Sequence, residues 1–164
     1  MKIRSRTVLL SVAAGTMAFC LCLWAERGDA VVPFPDGYRR WAHLKSTVVG
    51  SESAAALASE RGIHHFYANE QALEGLRSGA FPDGSVLIDD LLETKENAGI
   101  STEGPRRRLA VMVKDRQGFR EAGGWGYEVY KGDDRQPTLT TASRAACFAC
   151  HQIGRDSVVG ELHP

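Results

Sequence analysis

Apolar and polar positions along this chain alternate in short runs more often than they recur at helical spacing, so the pattern predicts a sheet with a few helices. Residues 85–92, 108–115 and 125–131 are each rich in β-branched, aromatic or aliphatic side chains and are separated by Gly, Asp, Asn or Pro clusters, which marks three strands. Residues 64–68 carry aromatic side chains in a fourth strand-like run. Thr47-Val48-Val49 is a fifth, reached through a helical or irregular start from Gly37. Asn69 caps a helix over residues 70–77 that stops near Gly79. Phe81-Pro82-Asp83-Gly84 is a turn, because proline pre-sets one backbone angle and glycine permits positive φ. The alanine-rich stretch 53–60 reads either as a short helix capped by Ser51 or Ser53 or as a mobile loop. Thr141 or Ser143 caps a last helix running through Gln152. The fold class is α+β: one antiparallel β-sheet packed with a few helices, in one domain without repeats or low-complexity linkers.

The amino terminus stands apart. Lys2, Arg4 and Arg6 form a basic start, residues 7–25 carry no charge, and Gly28-Asp29-Ala30 offers the small-x-small pattern of a cleavage site. Residues 1–30 are therefore expected to be a secretory signal, with one exported domain over 31–164 starting at Val31 and a periplasmic location. The apolar run approaches the roughly 18 residues of a membrane span, so an uncleaved segment tethering the protein to the membrane is the alternative. Twenty basic and twenty acidic residues cancel, which excludes a general attraction to nucleic acid or anionic lipid. Arg106-Arg107-Arg108 follows Pro105 and reads as a solvated loop.

Removing the signal also removes Cys20 and Cys22, leaving Cys147 and Cys150 as the only cysteines of the exported domain. Two such close neighbours close too small a loop to staple a domain. They stand in Cys147-Phe148-Ala149-Cys150-His151, the spacing that puts two sulfurs on one side of a helical turn and a histidine directly after them. This is the attachment motif of one covalently bound haem c, with thioethers at Cys147 and Cys150 and His151 as an axial ligand of the iron. Export agrees with covalent attachment outside the cytoplasm. A dithiol redox centre uses the same cysteines but usually opens a helix after an early strand. A zinc site would need further ligands, which only His64 with His65, or His163, would supply. For the opposite side of the iron, the exported domain offers Met112 and the histidines His43, His64, His65 and His163. Met112 lies in a strand and reads as core, so an open sixth position is the expectation.

The order of several short blocks resembles the cytochrome P-460 family, which includes the cytochromes c′-beta. The blocks are Tyr38-Arg39-Arg40-Trp41, Phe66-Tyr67-Ala68-Asn69, residues 79–86, Val111-Met112-Val113-Lys114-Asp115, Gly123-Gly124-Trp125-Gly126-Tyr127 and residues 146–151. The resemblance implies an antiparallel sheet packed on helices, a homodimer, and a high-spin haem with His151 on its proximal side and an open distal pocket. Relatives that oxidise hydroxylamine or nitric oxide carry a lysine joined to the haem ring. The matching position here is Asp89, and the next lysine, Lys95, is six residues on. The first expectation is thus a monohaem cytochrome that binds nitric oxide or a similar small diatomic or nitrogen-oxide ligand, or passes electrons to a redox partner protein. The second is an oxidoreductase acting on hydroxylamine or nitric oxide at the same iron, with His64, Asp89 or Asp90 as proton acceptor. Those three otherwise read as solvated strand-end residues.

Overall fold

The computed structural model describes residues 30–158; residues 1–29 of the expected signal segment and His163 lie outside them. Five strands follow one another in an antiparallel meander, β1 (Ala42–Val49), β2 (Gly62–Ala68), β3 (Val86–Asn97), β4 (Ile100–Lys114) and β5 (Trp125–Lys131), and they lie side by side in sequence order. Helix α1 (Glu70–Ser78) joins β2 to β3, and helix α2 (Thr141–His151) follows β5. Among the described residues no helix is long and apolar enough to cross a membrane.

Local chemistry sets the helix ends. The Asn69 side chain accepts from the Ala72 N–H and also from the Val86 N–H at 2.9 Å, so one residue starts α1 and ties it to β3. Gly79 ends the helix in left-handed backbone, φ 79°, where a side chain would be strained. The cap of α2 is neither Thr141 nor Ser143 but Thr140, whose hydroxyl accepts from the Ser143 N–H at 3.1 Å. Residues 55–60 form a 3₁₀ turn with no side-chain cap, and Ser53 instead accepts a hydrogen bond from Arg61.

Two strands run well past their expected ends. β3 and β4 continue as a two-stranded ribbon closed at Ala98 and Gly99, both with positive φ (50° and 80°), as the mirror-image hairpin turns require. Most of this ribbon is exposed on both faces, so it shows no alternation that would mark it as strand. Its inner end contains Arg106-Arg107-Arg108, which is therefore strand and partly buried rather than a solvated loop.

The sheet separates two apolar clusters. On one face Val32, Tyr38, Ile88, Leu109, Val111 and Tyr130 pack with the amino-terminal segment folded across them, and the Tyr130 hydroxyl donates to the Val32 carbonyl at 2.7 Å. On the other, Ala68, Phe81, Trp125 and Tyr127 pack with α1 and with Cys147 and Phe148 of α2. Arg144 seats α2 on β5 through an ion pair with the buried Glu128, whose second oxygen accepts from the backbone N–H groups of Thr138 and Leu139 just before the helix.

Candidate functional site

Between α2 and the sheet lies a cavity of about 530 Å³. Strand register places its floor. Phe66, Asp89, Ala110 and Val129 stand opposite one another in one row across β2 to β5, and Ala68, Leu87, Met112 and Tyr127 form the next. From the helix side Cys147, Cys150 and His151 all reach the same cavity, the two cysteines as free thiols. Burial pushes the Cys147 thiol up, so it stays neutral.

His151 is held from behind. Its Nδ1 lies 3.1 Å from the Ser157 carbonyl, which can only accept, so Nδ1 carries the proton and a neutral ring leaves Nε2 bare for a metal. The Tyr127 ring packs 5.3 Å from the imidazole. The Tyr127 hydroxyl, buried on the cavity wall, has no hydrogen-bond partner among the described residues.

The polar wall is built from three strands and the 3₁₀ turn. His64 of β2 is buried; its Nδ1 meets Asp89 Oδ1 at 2.8 Å and its Nε2 the Glu60 carbonyl at 2.7 Å. With acceptors at both nitrogens the ring is favoured as imidazolium, and the Asp89 hydrogen bond raises its pKa against the opposing effect of burial. Arg108 completes the group, pairing with Glu60 and with Asp89 Oδ2 at 3.1 Å, while its Nε has no partner among the described residues. Glu60, His64 and Asp89 could converge on a cation, but the Arg108 guanidinium already balances both carboxylates.

These positions rearrange the candidates. Asp89 is brought to the cavity in mid-strand, and His64 is buried behind it rather than left solvated at a strand end. Asp90 points to the opposite face and is sealed there by Tyr38, Arg39 and Arg106. His43 and His65 share Ser46 as a hydrogen-bonding partner, at 3.0 and 2.7 Å, away from the cavity. Met112 lines the cavity wall as well as packing in the core. Glu60, Arg108, Tyr127 and Lys45 were not singled out for the site by sequence. Lys45 lines the cavity with its Nζ 5.3 Å from the centre of the Phe66 ring. The available signal was the pair of acids inside an apolar strand, since buried carboxylates require cationic partners.

A family model described as cytochrome P460 matches residues 35–158. The chain belongs to the cytochrome P460 family. Comparison with curated proteins finds no match. Membership makes this a haem-binding cytochrome, and the cavity suits a haem of the P460 family on its own terms. Its volume is that of a cofactor pocket. Two thiols and an imidazole with a free nitrogen share one helical end, the floor is largely apolar, and an orphaned tyrosine hydroxyl awaits a polar partner inside.

Proposed function

We propose that the protein is an exported monohaem c-type cytochrome in which Cys147 and Cys150 hold the haem through thioethers, His151 is the proximal ligand, and the sheet side of the cavity is left open to a small ligand. The observation that carries this is the convergence of both thiols and His151 on one cavity, with Nδ1 engaged by Ser157. A haem bound there supplies an iron able to bind nitric oxide or a similar molecule, or to pass single electrons to a redox partner. The residues of this chain do the rest. Phe66, Leu87 and Ala110 limit access of water, and the His64–Asp89–Arg108 group sets the polarity at one side. Location in the periplasm and a homodimeric state belong to the same reading.

Oxidation of hydroxylamine with His64 or Asp89 as base is the second reading, favoured by Asp89 on the cavity wall with His64 hydrogen-bonded behind it. The hydrogen bonds argue for the first. Both His64 nitrogens already face acceptors, and both Asp89 oxygens are taken by His64 and Arg108, so neither group stands ready to accept a proton. Nor does the Asp89 position offer an amine for a third covalent link to the ring, and Lys95 is exposed far along the ribbon.

Covalent haem retention after acid denaturation tests the attachment. The double variant Cys147→Ala, Cys150→Ala is expected to lose it, and full retention would sink the assignment. The ligand-free ferric spectrum is expected to be high spin, without the red-shifted ferrous band that gives the family its name. Peptide mass spectrometry showing a haem bridge from residues 85–96, or from Lys45, to the 147–151 peptide would overturn that part. Rapid turnover of hydroxylamine with an artificial electron acceptor would favour the second reading.

A further inference from the structure

Just beyond α2 the chain turns back with two consecutive residues in left-handed backbone, Asp156 at φ 47° and Ser157 at φ 61°. Side chains rarely adopt this conformation, and it persists only where neighbours hold it. Here they do. Asp156 Oδ1 pairs with Lys114 Nζ at 2.7 Å, Oδ2 accepts from the Phe81 N–H at 3.1 Å, and the Asp156 carbonyl accepts from Trp125 Nε1 at 2.8 Å. Lys114 reaches this point from the end of β4, almost wholly buried, with its Nζ also donating to the Gly123 carbonyl and lying 4.8 Å from the centre of the Trp125 ring. The next carbonyl along the chain, that of Ser157, is the one that faces His151.

We propose that Lys114 and Asp156 are positioning residues for His151: their ion pair pins the left-handed backbone at 156 and 157, aims the Ser157 carbonyl at the imidazole Nδ1–H, and thereby sets how strongly the ring donates to iron. This rests on the reading of His151 as axial ligand. A firm Nδ1–H hydrogen bond gives the ring more anionic character, which strengthens its donation and favours the ferric state; a slack one does the opposite. A buried ion pair that only stabilised the fold would leave these electronic properties alone.

The test uses holoprotein. Asp156→Asn keeps the shape but removes the charge, and Lys114→Arg keeps the charge but moves the donor. Both are expected to lower the ferrous iron–histidine stretching frequency. In Asp156→Asn the ratio of oxidised to reduced protein at a fixed ambient potential should fall about tenfold, equivalent to ~59 mV for one electron, as is typical of losing an outer partner of a metal ligand. Tyr38→Phe, which removes a buried hydrogen bond to Asp90 on the opposite face, should move neither. A wild-type frequency and ratio in Asp156→Asn, or an equal change in Tyr38→Phe, overturns the proposal. If Asp156→Asn does not accumulate with haem, Lys114→Arg decides, and a wild-type band there overturns it. His151→Ala separates the two levels: should the iron–histidine band survive in it, the axial assignment fails and the positioning role with it. Loss of that band together with an inert Asp156→Asn removes the positioning role alone.

Discussion

Asp89 and Asp90 are neighbours in one strand, yet they belong to different molecules in all but covalent structure. Successive side chains of a strand point to opposite faces, so Asp90 enters the closed core while Asp89 borders the cavity. Asp90 has no solvent exposure and is saturated: the Tyr38 hydroxyl donates at 2.5 Å, Arg39 at 2.8 Å and Arg106 at 2.7 Å. Asp89 has a similar arginine two residues along β4, Arg108, but its other partner is the titratable His64, and space opens beside it. The same two residue types therefore build a sealed structural network on one face and an adjustable polar wall on the other. An acid inside a strand is not by itself a functional signal; what shares its face decides.

Removing each carboxylate separates the two roles. Asp90→Ala removes the buried acceptor shared by Tyr38, Arg39 and Arg106, leaving Arg106 only the Tyr38 hydroxyl and the exposed Asp133, and is expected to cost about 3–5 kcal/mol, the scale for breaking a buried pair. Chemical denaturation should record that loss, while the haem spectrum of the surviving folded protein stays that of the parent. Asp89→Ala should cost less, about 1–3 kcal/mol for the unpaired partners, and should alter ferrous ligand affinity. Equal stability losses with equal spectra would erase the distinction.

Titration sharpens it, because the two faces fail at opposite ends of the pH scale. His64 has its pKa raised above 6.5 by the Asp89 hydrogen bond, so its contribution is fully present below the unfolded value and is lost as pH rises through the folded one. Burial works to raise the Asp90 pKa, but hydrogen bonds from Tyr38, Arg106 and Arg39 outweigh it and hold the group below 3.8. That contribution is present above the unfolded value and is lost as pH falls through the folded one. Stability measured against pH should thus lose its alkaline-side decline in His64→Gln and keep its acid limb. A His64→Gln curve parallel to wild type above neutrality would contradict the assigned imidazolium.

The smallest effect is expected at Met112. Met112→Leu conserves volume on the cavity face and should cost under about 1.5 kcal/mol, with no change in spin state. A shift of the ligand-free ferrous spectrum in this variant would identify the thioether as a sixth ligand.

Much of this architecture was legible in advance because buried strands collect apolar side chains. β5 is buried over most of its length and the inner halves of β3 and β4 are rich in aliphatic residues, and Asn69 and Gly79 mark α1 by cap chemistry. The ribbon beyond Glu93 was not legible, since a strand pair wet on both faces has no apolar stripe to read. The motif at 147–151 and its place on a terminal helix could be read from spacing alone. Its supporting shell could not: Ser157, Asp156 and Lys114 meet His151 only through tertiary contacts, and Glu60 reaches Arg108 across 48 positions of sequence.

The meander has a kinetic consequence. Every strand pairs with its neighbour in the chain, so the sheet can assemble strand by strand, each step closing the one loop between consecutive strands. Among the described residues helix α2 comes last and docks chiefly on β5, the last strand of the sheet. A chain threading outward amino terminus first would zip its sheet before the helix bearing Cys147 and Cys150 arrives. If Cys147 and Cys150 hold the haem as proposed, they would then spend the longest time unburied, and closing the cavity would be the act that ends maturation.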